Sequence, residues 1–261
     1  MKCSAWILLS IGFFIAPAQA LDLDDYRLLD LGQPFNKETL YWPTSPSRFE
    51  LTPLARGETD AGWFYAANAL CTPEHGGTHL DAPAHFAAAG LTVDALPLQN
   101  LMAPGVVIDV SDQVAIYTDY RVTTQDVEAF EKRYGRIAVG TIVLVRTGWS
   151  LFWPDAKRYL GDDTPGDASQ LHFPSYGVDA ARLLVEDRQV AMLGIDTASI
   201  DYGPSKDFPV HRIAAAGNVA GLENLTGLDR LPATGFTVLA LPMKIEGGSG
   251  GPARVVALVP K

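Results

Sequence analysis

Three of the chain's five histidines fall within the eleven residues His75-Gly76-Gly77-Thr78-His79-Leu80-Asp81-Ala82-Pro83-Ala84-His85, and Phe86 follows. Imidazole is the commonest side-chain metal ligand, and Asp81 stands two residues after the middle histidine. Packing gives no reason for histidines at spacings of four and six around an aspartate, so the run reads as a metal site. A helix of the zinc-peptidase kind needs glutamate directly after the first histidine; here Gly76 and Gly77 follow His75, and Glu74 precedes it. Two glycines and Pro83 make a helix costly in any case. An extended segment fits better. Residues two apart on a strand share a face, which joins His79 to Asp81, and the glycines let the chain bend so that His75 reaches the same point. A His-His-Asp set leaves coordination positions open for water and substrate, which suits catalysis more than structure. A hydrogen-bonded polar cluster is the plainer alternative.

Other residues could join this site. Cys71, four residues before His75, is either a further ligand or, as is usual, a buried inert thiol. Gly194-Ile195-Asp196-Thr197 closes an apolar run where a loop begins, and His211 is followed twelve residues later by Glu223. Taken alone, His211 and Glu223 are ordinary surface positions. Asn224-Leu225-Thr226 matches a glycosylation triplet of a kind common by chance. A serine nucleophile lacks its setting: there is no Gly-x-Ser-x-Gly turn, and Gly248-Ser249-Gly250 is not a strand-turn-helix.

The elements that must position these groups read as strands and helices in one domain. Val106–Val110, Thr141–Arg146, Val190–Ile195, Thr237–Leu241 and Ala253–Val259 are β-branched runs whose near-continuous apolar character predicts burial on both faces. Thr123 or Thr124 can cap a helix with Val127, Phe130 and Tyr134 on one face, ended by Gly135. A second helix runs roughly from Val178 to Glu186 and feeds the strand at Val190. Helix-then-strand order of this kind predicts a mixed α/β domain. Stretches 42–64 and 147–176 read as long irregular loops; they carry Trp42, Trp63, Phe64, Trp149 and Trp153, and aromatic loops on a rigid scaffold often wall a pocket.

Composition bounds the rest. Residues 1–20 read as a secretory signal peptide: Lys2, an apolar stretch from Ala5 to Ala16, and Ala18-Gln19-Ala20 before Leu21. The apolar stretch is short for a bilayer span, and no second one follows, which predicts an exported protein without a membrane anchor. Without that segment 19 basic and 30 acidic residues remain, a net charge of about −11 that argues against nucleic acid or an anionic membrane as partner. Only Cys71 is left, so no intramolecular disulfide forms and stability rests on a core, for which the length is ample.

The segment His75 to Phe86 is similar to the signature of the cyclase family of metal-dependent hydrolases, which includes isatin hydrolase and bacterial kynurenine formamidase. The likeness extends over nearly all of 21–261, through Tyr41-Trp42-Pro43, Gly194 to Thr197, the His211 to Glu223 spacing, and Gly247-Gly248-Ser249-Gly250-Gly251-Pro252-Ala253-Arg254. The resemblance implies a single swivelling β/β/α domain, α/β in class, with a mixed sheet and flanking helices. It implies a Zn or Mn centre and hydrolysis of an amide or lactam ring. By position, His75, His79 and Asp81 become metal ligands and His85 the general acid/base. In two-metal members the counterpart of Asp81 bridges, and those of His211 and Glu223 hold the second ion; in one-metal members they line the site. The aromatic loops and His211-Arg212-Ile213 are closer to isatin hydrolase than to the formamidase. An export signal points the same way, because tryptophan breakdown belongs in the cytosol. The expected activity is opening of isatin to isatinate, with Trp42, Trp63 and Phe64 stacking on the planar substrate. N-formylkynurenine hydrolysis is the alternative within the family, and a non-catalytic exported metal-binding protein the alternative outside it. Family members are usually oligomeric, so a homo-oligomer is expected.

Overall fold

In the computed structural model, which describes residues 22–261, the apolar runs form a sheet that closes on itself. The expected signal peptide lies outside the described residues. In chain order the strands are β1 (Tyr26–Asp30), β2 (Glu50–Glu58), β3 (Phe64–Cys71), β4 (His79–Asp81), β5 (Met102–Asp109), β6 (Arg121–Val122), β7 (Ile142–Arg146), β8 (Ser175–Tyr176), β9 (Met192–Ile195), β10 (Ala220–Glu223), β11 (Phe236–Pro242) and β12 (Gly250–Pro260). β5, β7, β9 and β10 lie side by side and parallel. β4 is antiparallel to β10 on one side and to the start of β12 on the other, and β12 returns through β11 to β5. β1 pairs outside this circuit on β12.

The expected burial on both faces is found for β7 and β9, whereas β5, β11 and β12 bury one face and leave the other partly exposed. On β7, Ile142 and Leu144 join Leu80, Val107, Met192, Leu222, Val238 and Val255 in a cluster that draws on every strand of the circuit. Val143 and Val145 point the other way, into a second cluster with residues of three helices, Thr124–Tyr134, Val178–Arg182 and Pro209–Ala216. Alternate residues therefore serve different cores, and a fully apolar strand satisfies both. The family's mixed sheet with flanking helices is the architecture found.

Local signals place the helices well. Thr123 caps Thr124–Tyr134 through a reciprocal bond with Asp126, and Gly135 ends it, although Tyr134 is half exposed rather than buried with Val127 and Phe130. The second helix is α-helical only over Val178–Arg182 and widens into a π turn at Leu183–Asp187. The expectation of an irregular 42–64 is corrected. Glu50–Glu58 pairs with Phe64–Cys71 as a separate hairpin in which nearly every residue is exposed. Pro53, Gly57 and the irregularity between Pro53 and Ala55 hide it from a pattern reading, and with neither face buried there is no alternation to detect. Stretch 147–176 likewise contains short helices at Trp149–Phe152 and Ala156–Leu160.

β4 is three residues long and completely buried, held between two strands. Its register sets Asp81 opposite Gly221 of β10 and opposite Gly250 of β12. A Cβ at Gly250 would stand 2.5 Å from the Leu80 carbonyl oxygen and 2.7 Å from His75 Cε1. Gly250→Ala is therefore expected to destabilise the protein by about 1–3 kcal/mol, as an overpacked core position does. Urea unfolding followed by circular dichroism measures it, and unchanged stability would mean that β12 is not seated on β4 as described.

Candidate metal centre

Five donors converge on the face of β4 that bears His79 and Asp81. Register brings Glu223 directly opposite His79, so both side chains lie on one side of the sheet. Gly76 and Gly77, with φ of +150° and +57°, bend the chain before β4, and Gly76 packs so closely on the Tyr41 ring that a Cβ would overlap it. His75 thereby reaches Asp81, its Nδ1 2.5 Å from Oδ1. His211 comes from the first turn of helix Pro209–Ala216, its Nε2 3.2 Å from Asp81 Oδ2 and 3.2 Å from Glu223 Oε1. His79 Nε2 stands 3.2 Å from Asp81 Oδ1 and 3.6 Å from Glu223 Oε2. One donor atom from each of His75, His79 and Asp81 lies within 4.8 Å of the others, and the same holds for Asp81, His211 and Glu223. Asp81 belongs to both sets.

The opposite ring nitrogens fix the tautomers. His79 Nδ1 donates to the Gly77 carbonyl at 2.9 Å, and that oxygen also accepts from Asn224 Nδ2 at 2.8 Å. His211 Nδ1 donates to Asp201 Oδ2 at 2.8 Å. Asp201 is buried and also accepts from the Val210 and His211 amides, the free N–H groups at the start of that helix. Each neutral ring then presents its lone pair to carboxylate oxygens, an arrangement of acceptors facing acceptors that is repulsive unless a cation or protons stand between. The donor set fits a divalent cation: imidazole and carboxylate, each imidazole held by an acceptor on its far side.

Titration directions agree. Burial favours the neutral His79 ring, but Asp81 and Glu223 outweigh it and raise His79 to about 9. Burial opposes charge on His211 too, and Asp201, Asp81 and Glu223 raise it well above its usual range. Asp81 is held well below the ordinary carboxylate range, the histidines around it overcoming its burial. His85 goes the other way. It stacks on His75, with ring centroids 3.8 Å apart, and burial outweighs Asp81 and lowers it to about 4.

These residues line a cavity of about 470 Å³, a size suited to a small molecule. Tyr41, Trp42, Phe86 and Phe208 make its aromatic wall. Phe208 is held at a φ of +45°, a strained backbone for an aromatic residue, immediately before the helix that delivers His211. Trp42 packs against Phe208 and Phe173. Trp63 and Phe64, expected from the sequence to stack on the substrate, are not among the residues lining this cavity. They are 55% and 61% exposed on the β2–β3 hairpin, outside the cavity lining. Cys71 is exposed at the end of β3, not a buried thiol, and it is absent from both donor sets. His172 pairs with Asp119 at 2.8 Å, away from the cavity lining. Asn224 is buried and bonded to Gly77, which leaves it no room for a glycan.

Sequence reading did not find Asp201, Asn224 as a partner of Gly77, or the bonding of Glu74 and Ser249 beside His75. Ser249 lies 174 residues from His75, and no local motif joins the two.

Comparison with known proteins finds relatives over most of the chain. The family model described as "Putative cyclase" matches residues 29–202. Isatin hydrolase of Roseibium aggregatum is 35% identical over 243 residues, covering 90% of this chain and 87% of its own. Kynurenine formamidase of Salinibacter ruber is 27% identical, covering 88% and 96%. The solved structure of isatin hydrolase A from Ralstonia solanacearum superposes with a TM-score of 0.80 at 35% identity, covering 90% of this chain and 93% of that one. The chain is a member of the cyclase family of metal-dependent hydrolases.

Proposed function

We propose that the protein is a metal-dependent amidohydrolase that opens the lactam ring of isatin to isatinate. The observation that carries this reading is the neutral His85 standing beside a cluster of five converging donors at the foot of an aromatic cavity. His75, His79 and Asp81 would hold one Zn or Mn ion, and Asp81, His211 and Glu223 are arranged to hold a second. The chemistry such an ion supplies when bound is Lewis acidity toward water and toward a carbonyl oxygen.

The chain's own residues do the remainder. A ring whose pKa is lowered to about 4 is unprotonated at neutral pH, so His85 can take a proton from the attacking water. The water oxygen bonds to the lactam carbon, the C–N bond breaks, and His85 returns the proton to the leaving nitrogen. Trp42, Phe86 and Phe208 offer ring faces and edges to a planar bicyclic substrate and keep bulk water out of the cavity. Similarity to kynurenine formamidases supports a second reading, N-formylkynurenine as substrate by the same chemistry. The relative named for isatin is the more similar, and it favours the lactam.

We also infer export, from the composition of residues 1–20. A homo-oligomer is supported by the hairpin, which leaves Leu51, Leu54, Trp63, Phe64 and Leu70 exposed together, a surface that a lone two-stranded element does not sustain in water. Trp63 and Phe64 are assigned to that interface.

Four outcomes are expected. Metal-loaded protein without residues 1–20, screened by absorbance, hydrolyses isatin faster than N-formylkynurenine. His85→Ala retains bound metal but loses at least about 100-fold in turnover, the usual worth of a general acid/base, whereas Asp81→Ala loses the metal as well; a fully active His85→Ala protein would refute the role given to His85. Metal affinity rises between pH 6 and 9, because protons held on His79 and His211 must leave before an ion enters. Chelator competition across that range measures it, and a flat profile would place the ion elsewhere. Finally, Trp63→Ser with Phe64→Ser should reduce the particle mass seen by light scattering, and an unchanged mass would release the hairpin from the interface.

A further inference from the structure

His75 is the most exposed of the donors, its side chain 27% accessible where those of His79 and Asp81 are 4% and 5%. Its outer nitrogen is hydrogen-bonded to no carboxylate or peptide carbonyl, as those of the other two histidines are to Asp201 and Gly77, and the nearest carboxylate oxygen, Glu74 Oε2, stands 3.9 Å away. Its Nε2 lies instead 2.9 Å from Ser249 Oγ. The Ser249 hydroxyl is 2.5 Å from Glu74 Oε2, and the Ser249 amide donates to that same oxygen at 3.1 Å.

We infer that Ser249 and Glu74 form a positioning relay that holds His75 in the tautomer able to bind metal through Nδ1. A hydroxyl has one proton, and Glu74 Oε2 already accepts the Ser249 amide, so that oxygen is an acceptor and the hydroxyl proton points to it. Ser249 Oγ then offers His75 only lone pairs, and His75 Nε2 must carry the ring proton. Nδ1, 2.5 Å from Asp81 Oδ1, is left as the free donor. A serine bridging imidazole and carboxylate thus takes the part that a direct carboxylate takes for His211.

The loop is built to hold this geometry. The Ser249 carbonyl accepts from the Ala82 amide, immediately after β4, and the Gly248 carbonyl accepts from the Val93 amide. The relay is therefore tied to the strand that carries Asp81.

The inference rests on the metal-hydrolase reading, and the test separates the two. Co(II) is titrated into the wild type and into Ser249→Ala, Ser249→Thr and Glu74→Gln, with the visible absorption of the bound ion and chelator competition as readouts. Ser249→Ala is expected to bind Co(II) about 10–100-fold more weakly with a changed visible spectrum, Glu74→Gln about 10-fold more weakly, and Ser249→Thr to recover the wild-type spectrum. Retained far-ultraviolet circular dichroism in each variant excludes misfolding as the cause. Ser249→Ala and Glu74→Gln that bind Co(II) within twofold of wild type, while the wild type binds and hydrolyses isatin, overturn the relay alone. A wild type that takes up no divalent ion overturns the metal reading and the relay with it.

Discussion

Around Asp81 three imidazole nitrogens and two carboxylates face one another at 2.5–3.6 Å, and their far sides are tied to groups that leave lone pairs pointing inward. Such a cluster, most of it buried, carries negative potential that has to be met by positive charge, since uncompensated buried carboxylates cost several kcal/mol each. Protons on His79 and His211 can supply it, and so can a cation. The fold is organised to keep the donors in place under that mutual repulsion. β4 is gripped on both sides, Asp201 secures the His211 ring from behind, and Asn224 steadies the carbonyl that holds His79.

The same constraint accounts for the sheet's closure. A strand of three residues has little stability of its own, yet it bears two donors and is approached by three more. Pairing with β10 aligns Glu223 with His79, and pairing with β12 brings the Gly247–Gly250 turn over His75. Glycine stands on each strand opposite Asp81, which leaves its carboxylate room to face both donor sets. A Cβ at Gly221 would stand 3.3 Å from Asp81 Oδ2, and one at Gly250 would press on the Leu80 carbonyl and the His75 ring.

Much of this was legible in the sequence, and the reason differs from part to part. Strands β7 and β9 announced themselves because burial on both faces demands unbroken apolar runs, β5, β11 and β12 by their apolar content although one face of each is partly exposed, and the capped helix at Thr123 because its signals are local. His79 and Asp81 followed from strand periodicity alone. His211 and Glu223 needed the family resemblance, since nothing around them marks a ligand. The β2–β3 hairpin was illegible because its faces are exposed and its strand contains Pro53. Trp63 and Phe64 were consequently placed in a pocket wall, when their exposure on that hairpin directs them outward. Asp201, Glu74 and Ser249 act across distances in sequence that no local pattern spans.

His85 shows how one environment supports two kinds of histidine. It lies against His75 and 5.9 Å from the His211 ring, among the same charges that raise His79 to about 9, yet it is lowered to about 4. The difference is geometric. His79 and His211 put a nitrogen within 3.2 Å of a carboxylate oxygen, whereas His85 presents its ring face to His75 and its edge to Phe86. Desolvation, aided by the neighbouring histidines, then outweighs the attraction of Asp81, and the charged form is disfavoured. In the proposed mechanism groups pushed apart in this manner would divide the labour of acid–base chemistry: those in contact with carboxylates would exchange protons for metal, and the one set apart from them would exchange protons with substrate.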